Sequence, residues 1–271
     1  MKTRKIFSLV LFFCLILSAA SYAADDLETL KNKAEQGDAA AQNSLGTCYH
    51  NGKGVKQDYA KAMEWYKKAA AQGNAHAYDN LGILYSRGYG VKKDPDQAFH
   101  WFQKAAEEGI TRSQFELGFM YSMGEGVKRD YAQAAKWYTK AVENNHAGAM
   151  CNLALLYQEG RGVRVNHKKA LDLYIQAAEL GSVAAMNNLG TMYSRGNYVT
   201  KNYTKALKWF KKAAEKGDKV AQYNVGTYYE YGIGVAKNPA KAREWYQKSA
   251  DQGYEDAIKA LKRVKPTKTK Y

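Results

Sequence analysis

Cysteine is nearly absent: three residues in 271, with Cys14 inside an N-terminal segment expected to be removed. The two that remain, Cys48 and Cys151, lie nearly three sequence periods apart. Stacked helices are separated by about 8–10 Å per layer, and a disulfide needs Cα atoms within about 7 Å. The two thiols are therefore not expected to bridge each other, which leaves pairing of Cys151 between molecules open. Proline is equally scarce, with Pro95, Pro239 and Pro266 only. No G-x-S-x-G, S-x-x-K, H-E-x-x-H or paired C-x-x-C occurs, so the familiar nucleophile and metal-hydrolase signatures are missing. Gly46–Lys53 approaches a phosphate loop, but Asn51 stands where glycine is required. The five histidines, His50, His76, His100, His146 and His167, are scattered over different positions of the pattern described next. They read as surface or packing residues, and no metal or cofactor is expected.

What the chain has is a period of 36 residues. One column runs Leu45, Leu81, Leu117, Leu153, Leu189, Val225; another Tyr49, Tyr85, Tyr121, Tyr157, Tyr193, Tyr229; a third Trp65, Trp101, Trp137, Leu173, Trp209, Trp245. A fixed period of this length marks a repeat array in which each unit buries its apolar face only by stacking on the next. Within a copy, Ala77, Leu81, Leu84 and Tyr85 have helical spacing. A Gly-x-Gly turn follows, such as Gly88 and Gly90, where glycine enters the left-handed region without a Cβ penalty. Only the fifth copy departs, with Tyr198 after Gly196. Asp58, Asp94, Asp130, Asn166, Asn202 and Asn238 then form a column of N-cap residues, twice followed by proline at the first helical position. The second helix stops at Gly73, Gly109, Asn145, Gly181, Gly217 or Gly253. Each copy is thus a helix–turn–helix, and its tryptophans and column tyrosines read as core rather than a cofactor box.

The pattern carried by Ala77, Asn80, Leu81, Gly82, Tyr85, Gly88, Gly90, Val91, Asp94, Ala98, Trp101, Phe102, Lys104, Ala105, Ala106 and Gly109 resembles the Sel-one-like repeat (SLR) family, relatives of tetratricopeptide repeats. Local departures are Ala154 for the helix glycine, Leu173 for tryptophan and Asn145 for the stop glycine. The expected fold is an all-α, right-handed α/α superhelix (solenoid) of six 36-residue repeats with terminal capping helices. Some secreted relatives carry a disulfide in each repeat; this chain does not.

Taken in order, residues 1–23 read as a signal peptide. Lys2, Arg4 and Lys5 precede an apolar run from Ile6 to Leu17, and Ser21-Tyr22-Ala23 offers a cleavage site after Ala23. The run is too short for a retained membrane anchor. Residues 24–37 form an N-terminal capping helix, 38–254 the six repeats, 255–261 a C-terminal capping helix and 262–271 a basic disordered tail. Secretion or periplasmic location, of a bacterial kind, follows. Asn202-Tyr203-Thr204 fits a glycosylation acceptor for a eukaryotic lumenal variant of this reading, although an N-cap role explains Asn202. Without the leader the net charge is +12, half of it in the last thirteen residues. A nucleic-acid partner would call for a basic stripe along the fold, and none is expected.

Candidate binding residues lie on the first helix of each repeat, beside its buried stripe. One column reads Ser44, Asn80, Glu116, Asn152, Asn188, Asn224; one turn on, Thr47, Ile83, Phe119, Leu155, Thr191, Thr227; another turn on, Asn51, Arg87, Met123, Glu159, Arg195, Tyr231. In stacked helical hairpins the first helices line a concave surface that takes extended partners. A side-chain amide both donates and accepts, and the resemblance aligns the asparagines with a tetratricopeptide position that clamps peptide backbones. The competing reading is that these amides bond a neighbouring helix or loop. On the first reading Asn80, Asn152, Asn188 and Asn224 grip the partner, and Arg87, Phe119, Arg195, Tyr223 and Tyr231 select it. The expected function is a non-enzymatic scaffold for a partner protein or extended peptide. The alternatives are a charge-driven binder of envelope polymer, host surface or anionic lipid acting through the basic tail, and a weak cell-wall or β-lactam hydrolase.

Overall fold

The computed structural model describes residues 26–264. The signal-peptide segment lies outside them, as do residues 265–271 of the expected tail. The described chain is entirely helical apart from its turns: α1 (26–35), α2 (Ala39–Asn51), α3 (Tyr59–Ala71), α4 (Ala75–Arg87), α5 (Pro95–Glu107), α6 (Thr111–Met123), α7 (Tyr131–Glu143), α8 (Ala147–Glu159), α9 (His167–Glu179), α10 (Val183–Arg195), α11 (Tyr203–Glu215), α12 (Lys219–Tyr231), α13 (Pro239–Ala250) and α14 (Glu255–Arg263). This is an all-α repeat solenoid. It divides into two compact units, the first ending at Asp130 and the second beginning at Tyr131.

The hairpin is closed by two of the sequence columns acting together. The backbone N–H of each N-cap residue, from Asp58 to Asn238, donates to the carbonyl of the column tyrosine nine residues earlier at 2.8–3.0 Å. The side chains of Asp58, Asp94, Asn166, Asn202 and Asn238 then accept from the backbone N–H three residues on, satisfying an otherwise orphan donor. The second turn glycine permits close approach as well as a left-handed backbone. A Cβ on Gly126 would meet the Pro95 carbonyl oxygen at 2.2 Å, and one on Gly162 would meet the Tyr131 carbonyl carbon at 2.2 Å. At the irregular positions Asn145 and Tyr198 carry the left-handed backbone themselves, at φ 59° and 63°.

The core differs from the expected one in its aromatics. Of the five tryptophans only Trp137 is buried, and the other four are half-exposed. Each is covered by the lysine three residues later: Lys68, Lys104, Lys140, Lys212 and Lys248 lie 4.0–5.1 Å from the ring centroids, so stem and charge shield the ring from water. The buried aromatic is the next residue, in the series Tyr66, Phe102, Tyr138, Tyr174, Phe210, Tyr246. Tyr66, Phe102, Phe210 and Tyr246 each sit on the helix glycine of their own hairpin. A Cβ at Gly82 would lie 2.5 Å from the Phe102 ring and one at Gly226 2.6 Å from Tyr246.

At the C-terminus the last helix runs to Arg263, two residues past the expected limit, and Val264 is buried. The expected tail therefore begins too early. Arg263 donates to both carboxylate oxygens of Glu230 at 2.8 and 2.9 Å, and Arg243 caps the helix through the carbonyls of Leu261 and Val264. Lys262 and Arg263 belong to the capping helix, which these bonds hold in place.

Candidate functional site

In the first unit Asp79, the residue before Asn80, is buried on α4. Arg112 and Ser113, at the start of α6, both reach it. Arg112 forms a two-pronged pair, and the Ser113 hydroxyl donates to Asp79 Oδ1 at 2.6 Å. Arg112 also donates to Asn80 Oδ1 at 3.5 Å, while Asn80 Nδ2 donates to Asn43 Oδ1 at 2.9 Å. The first helices of three successive repeats, α2, α4 and α6, are laced by this chain. Asn80 thus spends its amide inside the protein, as the competing structural reading supposed.

One turn further along α4 and α6 the surface opens into a cavity of ≈ 610 Å³. Ile83, Phe115 and Met120 supply apolar wall, with Phe102 of α5 beneath. Arg87 is exposed at one edge and Phe119 is 37% exposed at another. Glu116, half-buried between them, has its carboxyl pushed above the usual carboxylate range by burial, against the pull of Arg87 and Arg112. Here the sequence-predicted pair Arg87 and Phe119 does come together, around an acid that stands in the asparagine column.

In the second unit α8 and α10 line a smaller cavity of ≈ 390 Å³ that brings together Asn152, Asn188 and Arg195 with Leu155, Thr191 and Tyr174. Asn188 and Arg195 are exposed. Asn152 Nδ2 donates to the Tyr138 hydroxyl at 3.0 Å. Burial pushes the Tyr174 phenol up to about 12, so it stays a neutral hydrogen-bonding group. Cys151 is a free, half-buried thiol 3.5 Å from the Ser182 hydroxyl, and burial raises its pKa, which disfavours the reactive thiolate.

Asn224, Tyr223 and Tyr231 sit on α12 and line neither cavity. Tyr223 packs against Tyr246 and Tyr254, with centroids 5.5 and 5.4 Å away; its selectivity role gives way to a packing role. Tyr231 is 56% exposed with the Arg263 guanidinium 5.8 Å from its ring. The column of Tyr223 explains itself in three dimensions. Asp79, Cys151, Asn187 and Tyr223 each contact the start of the next repeat's first helix, at Arg112 and Ser113, Ser182, Asp218 and Tyr254 respectively. Each partner lies some 31 to 34 residues later, beyond the reach of helical periodicity; the charged Asp79, in a column whose other members Asn43, Phe115, Cys151, Asn187 and Tyr223 are neutral, was the available signal. Among the described residues no group of three or more His, Cys, Asp or Glu is placed to hold a metal. His50 packs edge-on to Tyr59 and Tyr89, His146 accepts from the Ala149 N–H as an N-cap, and His167 stacks on Tyr198.

With this geometry in hand, the Sel1 repeat matches six times, at residues 39–74, 75–110, 111–146, 147–182, 183–218 and 219–254. The chain belongs to the Sel1 repeat family. It is similar to c5321, a protective antigen of uropathogenic Escherichia coli with an SLR fold, at 40% identity and a TM-score of 0.83. That match covers 87% of this chain but only 50% of the antigen, so the chain spans about half of that relative. A Sel1 repeat protein from Oxalobacter formigenes is 32% identical over 90% of this chain and 70% of its own, with a TM-score of 0.81. No curated protein matches significantly. Sel1 repeats are a non-enzymatic interaction fold, and proteins built from them bind other proteins.

Proposed function

We propose that this protein is a secreted or periplasmic scaffold that holds an extended peptide segment of a partner on its first-helix face. The observation that supports this reading best is the α4–α6 cavity. An exposed arginine, an exposed phenylalanine and a partly desolvated glutamate surround apolar wall there, with no catalytic constellation among them. An apolar recess with a few convergent polar groups suits side-chain capture from a peptide. The second unit has a recess of its own, the α8–α10 cavity, with the exposed amide of Asn188 beside Arg195. Secretion rests on the basic, apolar and small-residue pattern of residues 1–23, and mass spectrometry of the mature N-terminus tests it.

Binding of the purified protein to an array of extended peptides tests the scaffold. Arg87→Ala with Phe119→Ala should weaken selected peptides about tenfold or more, in line with the loss of two anchor residues, and Asn80→Ala should matter less because its amide is already engaged. If the array selects nothing, or selected peptides ignore both cavities, the reading fails.

A further inference from the structure

The cations of this chain are distributed unevenly. Residues 26–130 hold fourteen Lys and Arg against fourteen Asp and Glu; residues 131–264 hold twenty-one against eleven, a net of +10. The imbalance is sharpest from Leu180 to Ala214, which carries Arg195, Lys201, Lys205, Lys208, Lys211 and Lys212 and no acid at all. Lys205, Lys208, Lys212 and Lys216 fall on one side of α11 and are exposed. Along a helix they recur every ~4.5–6 Å, over a length of ~16 Å. None of them makes an ion pair with a described residue. Glu179 and Glu215 approach only the far end of the row, near Lys212 and Lys216.

Lys212 belongs to the lysine column that covers the tryptophans, but repeat geometry does not require Lys205, Lys208, Lys211 or Lys216. In α5 the positions of Lys205, Lys208, Lys211 and Lys216 are held by Gln97, His100, Gln103 and Glu108. The stems are also held in place: Lys205 lies 5.4 Å from the Tyr193 ring centroid, Lys211 5.0 Å from Tyr229, and Lys212 4.3 Å from Trp209, which reduces the ordering cost of binding. At the head of the row stand two exposed rings, Tyr203 and Tyr198, with Lys201 4.9 Å from the Tyr203 centroid. Tyr198 takes a left-handed backbone where other copies have glycine, a costly conformation for a bulky residue.

We propose that α11 and the turn before it form a binding surface for a linear anionic polysaccharide. Its successive carboxylate, sulfate or phosphate groups would lie along the lysine row, and a sugar ring would lie against Tyr198 or Tyr203. The exposed positions of α11 are Tyr203, Thr204, Lys205, Lys208, Lys212 and Glu215, with Lys216 at its C-cap. Past Tyr203 this row offers no apolar side chain to insert into a bilayer, unlike an interfacial helix. The surface lies on the second helix of its repeat, and none of its lysines lines the proposed peptide cavities.

The probes are polygalacturonate, neutral dextran, phosphatidylglycerol vesicles and single-stranded DNA, each presented to the full mature chain in dilute and in concentrated salt. Polygalacturonate should bind and dextran should not, with affinity falling as salt screens the lysines. Lys205→Gln/Lys208→Gln/Lys212→Gln should weaken binding about tenfold, while Lys61→Gln/Lys67→Gln/Lys68→Gln, which removes equal charge from α3, should change it less than about twofold. Circular dichroism and thermal melting confirm that both variants fold. Equal loss in the two variants would reduce the effect to net charge and overturn the proposal. No binding of polygalacturonate, or tighter binding of vesicles or DNA, would overturn it too.

Discussion

The two units bury the same core columns and differ in their surfaces. Leu81 and Leu189 are both completely buried in the same column, and Phe102 and Phe210 both sit on a helix glycine. Yet residues 26–130 are electrically neutral and residues 131–264 carry +10. The polar links between repeats differ as well. The first unit uses the Asp79–Arg112–Ser113 cluster, the second Cys151 with Ser182 and Asn187 with Asp218. The comparison teaches that a 36-residue frame fixes the columns that bury surface between neighbours and leaves outward positions free to take on partners.

The largest effect that could break the likeness is a core truncation. Leu81→Ala and Leu189→Ala should each lower stability by about 3 kcal/mol, read from urea unfolding. A difference above about 1 kcal/mol between them would show that the two cores are packed unequally. Next comes the helix-glycine column. Gly82→Ala, which drives a methyl into the Phe102 ring, should cost about 1–3 kcal/mol. In the second unit Ala154 already fills that column, and Ala154→Gly should cost about 1 kcal/mol through helix propensity.

Two glutamates then sharpen the contrast through pH. Burial alone would raise the Glu230 carboxyl, but the hydrogen bonds from Arg263 and Tyr246 outweigh it and hold the group below the usual range. Its stabilising contribution is present above the ordinary glutamate value of about 4.3 and is lost as pH falls through the depressed folded value. Glu230→Gln should therefore cost about 1 kcal/mol at neutral pH, a figure reduced because the Arg263 guanidinium is mostly in water, and the cost should shrink in acid. Glu116 has the opposite sign: its raised carboxyl favours the fold below the ordinary value, and that contribution disappears as pH rises through the folded value. Glu116→Gln should give the smallest change of the series, a slight rise in melting temperature at neutral pH that vanishes in acid. A fall instead would mean that the carboxylate is stabilised by its arginines.

Much of the fold was legible because its determinants are local and recur. The N-cap column, the Gly-x-Gly turn and the 36-residue step each name a backbone geometry, and even the exceptions Asn145 and Tyr198 stand where the pattern puts a left-handed residue. The candidate site was legible only in outline. Helical phase placed Arg87 beside Phe119 and Asn188 beside Arg195 on exposed first-helix positions. It could not tell a free amide from an engaged one, because the partners of Asn80, Asn43 and Arg112, lie 37 and 32 residues away. Nor could it separate the half-exposed tryptophans from the buried ring beside them, since adjacent residues differ by only about 100° around the helix.

The sequence by itself determined the repeat, its caps and its turns, because those depend on backbone preferences within a few residues and on a spacing that any stacked neighbour must obey. Tertiary structure decided the rest. It set which asparagine is spent on a neighbouring helix, which tyrosine packs against the next repeat, and where the last helix stops. Each of these depends on pairs of side chains far apart in the chain that meet only when the helices are packed, where burial fixes whether a polar group must find its partner within the protein or is left to find it outside.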